Sequence, residues 1–147
     1  MNYRKTNQEK FWISEFGDDY VDRNLYHKES IKRNFAKILI KNNIEIDSCI
    51  EFGSNVGINL DALKELYSGI STFGVEINKK AYEILIQNHN GFHGSVYNFS
   101  SSKKYDLTLS AGVLIMLTNW KMMNLLCIPF LIIIILTTLR ADILSKK

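Results

Sequence analysis

The chain has 147 residues, 46% of them hydrophobic and 22% charged, with a single proline. These values exclude a disordered or collagen-like chain and leave room for one core rather than two. The formal net charge of +3 comes from residues 111–147, where four basic side chains meet one acidic; residues 1–110 are balanced, so no basic face marks a nucleic-acid binder.

In chain order, the first thirty residues are polar and mixed in charge. They lack the apolar run of a signal peptide, which predicts a cytoplasmic location. Phe11, Trp12 and Phe16 fall at near-helical spacing and read as a hydrophobic face capping a sheet or as a lid over a ligand. Glu15, Asp18, Asp19 and Asp22 read as a solvated face beside Lys10 and Arg23. From Ser30, the residues Ile31, Phe35, Ile38 and Leu39 mark one face of a helix ending near Asn42 and Asn43. Ser48–Phe52 is a short apolar run, read as a buried strand, that enters a loop with glycines at 53 and 57. Leu60, Leu63, Leu66 and Tyr67 then predict a helix closing at Ser68 and Gly69. Ser71–Glu76 is a second strand, and Asn78 caps a helix with Ala81, Tyr82 and Leu85 facing inward. A third, weakly marked strand is expected around Gly91–Val96 and a fourth over Tyr105–Ser110, ending at Ala111 and Gly112. Strands alternating with short helical patterns predict an α/β fold with a parallel, doubly wound sheet.

Beyond Leu117 the texture changes. Met122–Leu139 is almost wholly apolar and contains Pro129. Three readings compete for it. Phe130–Leu136, rich in β-branched residues, suits a fifth parallel strand buried on both faces. Trp120–Leu139 reaches the roughly twenty residues of a membrane helix, although Lys121, Asn124 and Pro129 lie inside it. The compositional break near Leu117 also suits a tail out of register with the original reading frame. Cys49 and Cys127 lie far apart with no ligand-spaced His or Cys, so both read as buried hydrophobes, with no metal site. His27, His89 and His93 read as surface or turn residues.

The chemistry is concentrated in Glu51-Phe-Gly-Ser-Asn-Val-Gly57 and Gly74-Val-Glu76-Ile-Asn78. Glycines at 53 and 57 let the backbone approach a ligand, and the helix starting near Gly57 offers free N–H groups. Glu76, at the end of the second strand, is placed to accept from two ribose hydroxyls. A dinucleotide loop would carry G-x-G-x-x-G, but Asn55 stands at its middle glycine, which disfavours an NAD-dependent oxidoreductase. The Gly-Lys-Ser/Thr of a phosphate P-loop is absent from the segment. Glu51 suits a ligand with a cationic amino-acid moiety better than one bearing phosphates.

At these residues the chain resembles a class I S-adenosylmethionine-dependent methyltransferase, whose first motif is E/D-x-G-x-x-x-G and whose second strand ends in an acid. With Gln8-Glu-Lys-Phe-Trp12-Ile-Ser-Glu-Phe-Gly17-Asp-Asp-Tyr-Val-Asp-Arg23-Asn24 and Gly112-Val-Leu-Ile115 added, it is similar over residues 8–117 to the pseudaminic acid biosynthesis-associated methylases of bacteria. Where that family reads G-V-L-I-H-I-N-P, this chain has Met116 in place of the His, followed by Leu117, Thr118 and Asn119. The resemblance implies a Rossmann-like parallel sheet, incomplete at its C-terminal side. Residues 1–117 would form the S-adenosyl-L-methionine-binding domain and residues 118–147 a divergent apolar tail. It implies that Gly53, Ser54, Asn55 and Gly57 wrap the methionine part of the cofactor. Glu51 would orient that loop and the amino group, and Glu76 would hold the ribose. Ile77, Ser95 and Val96 would pack on the adenine, and Ser110, Ala111 and Gly112 would floor the site near the sulfonium methyl. Tyr20, Arg23 and Asn24 would either reach the cofactor carboxylate or end a solvated helix. The implied acceptor is a nonulosonic-acid pathway sugar or its glycoconjugate. The alternative is an inactive remnant, or a protein tethered to the inner membrane through residues 120–139.

Overall fold

The computed structural model describes residues 5–23, 32, 34, 36–41, 43–111 and 113. Helix α1 (Asn7–Ile13) starts in a reciprocal capping box. The Thr6 hydroxyl accepts from Glu9 N at 3.2 Å, and the Glu9 carboxylate accepts from Thr6 N at 2.7 Å. Ser14 breaks the helix in extended backbone, and α2 (Glu15–Arg23) restarts at once. Phe11 and Phe16 therefore stack on each other at 4.1 Å and stay exposed, instead of capping the sheet. The interior contribution of α2 is Val21, 1% exposed, which packs with Val56 and Ala81. Burying a valine this fully is worth about 1.5–3 kcal/mol, enough to dock a two-turn helix.

The helix expected from Ser30 falls partly outside the described residues, as do Ile31 and Phe35. Among its described residues, Lys32 and Asn34 are α-helical and Ala36–Ile40 is a π-helical turn that places Leu39 fully inside and closes with Ile44 N donating to Leu39 O at 3.0 Å. Then follow β1 (Ser48–Phe52), α3 (Ile58–Leu66), β2 (Ser71–Glu76), α4 (Lys79–Leu85), β3 (Asn90–His93) and β4 (Leu107–Leu109). All pairings are parallel, in the order β3-β2-β1-β4, with Glu51 opposite Gly74 and Leu109. This is the parallel α/β arrangement that the alternation predicts and the Rossmann-like sheet that the resemblance implies. The third strand stops at His93 rather than Val96, with Gly94 N donating to Glu76 O at 2.8 Å as the last rung of the parallel ladder. The fourth is trimmed to three residues, its approach being held by Asp106 N donating to Ser48 Oγ at 3.1 Å.

Period-2 alternation divides the buried side chains between the two faces. Cys49 meets Leu39, Leu60, Leu63, Leu85 and Leu107 on one side. On the other, Ile50, Phe52 and Val75 pack against Phe99 and Tyr105 from the segment between β3 and β4. Phe99 lies 5.6–5.8 Å from the rings of Phe52, Phe73 and Phe92, so aromatic side chains from a loop close that face. Cys127, His27, Asn24 and the whole segment 120–139, with its strand, membrane and reading-frame alternatives, lie outside the described residues. Among the described residues no helix is long and apolar enough to cross a membrane.

Candidate functional site

The loop at the carboxyl end of β1 concentrates left-handed backbone. Gly53 (φ 70°), Asn55 (φ 49°) and Gly57 (φ 87°) all adopt the left-handed region. Asparagine tolerates this conformation better than other side-chain-bearing residues, so Asn55 fills a position where a dinucleotide loop would use glycine. Gly53 N and Ser54 N both donate to Val75 O, at 2.8 and 3.2 Å, which lashes the loop to β2. That close approach depends on Gly74, where a Cβ would sit 2.5 Å from Ser54 Oγ and 2.7 Å from Leu85 Cδ2.

Glu76 is the loop's anchor. It is 7% exposed, and its carboxylate accepts from Asn55 N on one oxygen and Asn78 N on the other, each at 2.7 Å. Burial raises its pKa above the ordinary value, while the N–H groups of Asn78, Asn55 and Ile77 pull against that shift. A carboxylate offers about four acceptor positions, so two bonds leave capacity for ligand hydroxyls. Glu51 is fully buried one strand away, where it accepts from Asn59 Nδ2. Burial pushes its carboxyl up to about 8, with the Asn59 bond lowering it and the nearby Glu76 charge raising it further. The shift favours the neutral form of Glu51 in the ligand-free chain, and its side chain meets Asn59 rather than the cleft.

A cleft of about 320 Å³ opens over this edge. Gly53, Ser54, Asn55, Glu76 and Ile77 form one side, and Ser95, Val96 and Ala111 extend it. The other wall is α1 and α2, through Trp12, Gly17, Tyr20 and Val21. Among the predicted residues, Glu51, Gly57 and Ser110 do not line the cleft. Gly57 faces inward, where a Cβ would sit 2.8 Å from both His89 Cδ2 and Leu85 Cδ1, so its glycine serves the turn into α3. Ser110 is buried just past β4, and Gly112 lies outside the described residues. Of the N-terminal candidates, Tyr20 reaches the cleft, whereas Arg23 lies 5.6 Å over the Phe16 ring.

Four buried polar atoms around the cleft have no hydrogen-bond partner among the described residues: Glu51 Oε2, Ser54 Oγ, Asn55 Oδ1 and Ser110 Oγ. Such groups are costly to leave unmatched, and a polar ligand in the cleft would find partners in Ser54 and Asn55. The described residues of the lining include acids but no Lys, Arg or His. This set fits an adenosyl group joined to a cationic sulfonium and amino acid, and it offers nothing to neutralise a pyrophosphate.

Sequence reasoning missed Asn59, Val113 and the tertiary role of Asn78. Asn59 could have been found as a polar residue in the first turn of the helix that follows the Glu51–Gly57 loop. His89 is a correction. It is 7% exposed, with Nδ1 at 2.8 Å from Thr72 Oγ1 and Nε2 at 3.1 Å from Asp61 Oδ1, although neither partner is near it in sequence.

No protein-family model matches the chain, and no curated protein matches it by sequence. Solved structures do match. The plantazolicin methyltransferase BpumL, crystallised with a pentazolic desmethylPZN analogue and SAH, superposes with a TM-score of 0.56 at 17% identity, over 71% of this chain and 45% of its own. The plantazolicin methyltransferase BamL, in complex with a triazolic analogue and SAH, gives 0.53 at 20% identity, over 69% and 43%. The likeness is one of fold, and this chain spans less than half the length of these structures.

Proposed function

We propose that the chain binds S-adenosyl-L-methionine at the carboxyl edge of its sheet and is a methyltransferase. The observation that carries this reading is the loop 53–57 folded onto the Glu76 carboxylate, with orphaned buried polar atoms of Ser54 and Asn55 beside a cleft whose described lining has no cation. Glu76 would take the ribose hydroxyls on its remaining acceptor positions, and Ile77, Ser95 and Val96 would flank the adenine. Ser54 and Asn55 would meet the amino-acid part, backed by Glu51 and Asn59 and with Ser110 to Gly112 below. The bound cofactor supplies an activated methyl group. The protein has to align acceptor, methyl and leaving sulfur and to exclude water, which Trp12 and the α1–α2 wall are placed to do. A general base is required only if the acceptor must lose a proton during transfer.

The resemblance to the pseudaminic acid-associated methylases supports a finer reading: a bacterial, cytoplasmic enzyme acting on a nonulosonic-acid sugar or its glycoconjugate. The neighbours bound to SAH support the cofactor class. Calorimetric titration with S-adenosylhomocysteine tests the binding step. Wild type should bind at micromolar ligand, Glu76→Asp should bind more weakly, and Glu76→Ala should lose at least about tenfold in affinity, the scale of one charged hydrogen-bonding partner. Absence of binding to folded wild-type protein would refute the proposal.

A further inference from the structure

Asn78 does more than cap α4. Its side-chain Oδ1 accepts from Ala81 N at 2.9 Å, which is the cap. Its Nδ2 donates to Trp12 O at 3.1 Å and to Asp18 Oδ1 at 2.8 Å, two groups more than fifty residues away on α1 and α2. Its backbone N donates to Glu76 Oε1 at 2.7 Å. The residue is 4% exposed, and every donor and acceptor on its side chain has a partner. Gly17 makes this approach possible, because a Cβ there would lie 2.8 Å from Asn78 Nδ2 and collide with Trp12 O. The exposed Lys80–Asp22 pair at 2.7 Å repeats the same α4-to-α2 link at the surface, where it counts for little.

From this connectivity we propose that Asn78 is a positioning residue: it latches the α1–α2 wall across the cleft and couples that wall to the carboxylate of Glu76. The coupling to ligand rests on the proposed function, in which Glu76 holds the ribose; the latch itself does not. A ligand that draws Glu76 toward it acts on Asn78 through one hydrogen bond, and on Trp12 and Asp18 through the next. Trp12 and Gly17 line the cleft, so the wall that closes it is the wall that Asn78 holds.

The test combines hydrogen exchange with S-adenosylhomocysteine titration on the full chain. Asn78→Ser keeps a neutral helix cap and removes both donors to the wall. Amides of residues 7–23 should exchange about tenfold faster while those of β1 and β2 stay unchanged, the cost of one or two hydrogen bonds. Affinity for the probe should fall about tenfold, and the protection that the probe confers on residues 7–23 in wild type should vanish. Asn78→Asp keeps the cap but turns the donor into an acceptor facing Asp18 Oδ1. Adding Asp18→Asn restores a donor between positions 78 and 18 but not the bond to Trp12 O, so the double variant should recover part of the slow exchange that Asn78→Asp lacks. If Asn78→Ser unfolds the whole chain, this pair decides the question. Unchanged exchange in residues 7–23, or no recovery in the double variant, would overturn the latch. Failure of wild type to bind the probe would sink the functional proposal and the coupling, while exchange in the ligand-free protein would still judge the latch.

Discussion

The two ends of the parallel sheet use polar residues in opposite ways. Where the strands begin, polar groups satisfy one another: the Asp106 carboxylate accepts from Asp47 N at 3.1 Å and from Ser48 Oγ at 2.7 Å, which ties the starts of β1 and β4 together. The Ser48 hydroxyl holds the Asp106 carboxyl below its ordinary pKa. His89, reaching Thr72 near the start of β2, is matched at both ring nitrogens. Where the strands end, Glu51 and Glu76 are pushed the other way by burial, and polar atoms of Glu51, Ser54, Asn55 and Ser110 have no partner among the described residues. At the strand starts buried polar groups serve the fold by pairing with one another, whereas at the strand ends several keep acceptor or donor capacity beside the cleft. A fold stabilised by small margins does not retain several unmatched groups in one place without a compensating gain.

The sharpest way to break the contrast is to remove the strain at the carboxyl end. Glu51, with a pKa of about 8 when folded and an ordinary value of 4.5, keeps a proton that the unfolded chain has lost across that window. Unfolding is then favoured by rising pH, so wild-type stability should fall by an amount on the order of 4 kcal/mol between about pH 4.5 and 8 and level off above. Glu76, shifted in the same direction, adds to the slope. Glu51→Gln retains the acceptor for Asn59 and should flatten most of this decline, making it more stable than wild type at pH 8 in urea titrations. A variant that keeps the wild-type slope would contradict the assignment.

Gly74→Val comes next. Its added atoms meet Ser54 Oγ and Leu85, so overpacking should cost about 3 kcal/mol and push the loop from Glu76, lowering both the urea midpoint and the affinity for S-adenosylhomocysteine. At the paired end, His89→Ala should cost about 2 kcal/mol by stranding Thr72 and Asp61, yet change that affinity less than about threefold. A large binding defect there would blur the division between the ends. The smallest effect is expected for Asp106→Asn. A carboxyl held low when folded contributes stability above its unfolded pKa and loses it as pH falls through the folded value. Wild type should therefore lose this contribution below about pH 4, and the variant should lack that acid-side step in thermal melts.

Much of this arrangement is legible in the amino-acid order, because it is local. The Glu51–Gly57 loop, the strand ending at Glu76 and the Asn78 cap all lie within single strand-turn-helix units, where spacing and residue type determine geometry. What escaped depends on residues distant in sequence. The pairing of His89 with Asp61 and Thr72, the closeness of Gly74 to Ser54 and the reach of Asn78 to Trp12 exist only after the sheet has assembled. The break at Ser14 was hidden because the aromatic residues around it keep helical spacing through an interruption. The raised pKa of Glu51 could not be read from a motif, since its largest cause is complete burial rather than neighbours in the chain.

The central claim is that the unmatched end of the sheet is the cofactor site. Amide chemical shifts of uniformly labelled protein, followed during titration with S-adenosylhomocysteine, test it most directly. Saturable shifts are expected at Ser54, Asn55, Ile77, Ser95 and Val96, with Asp47, Ser48 and Asp106 unmoved. Shifts concentrated at the strand starts, or no saturable shift in the loop from Gly53 to Gly57, would contradict it.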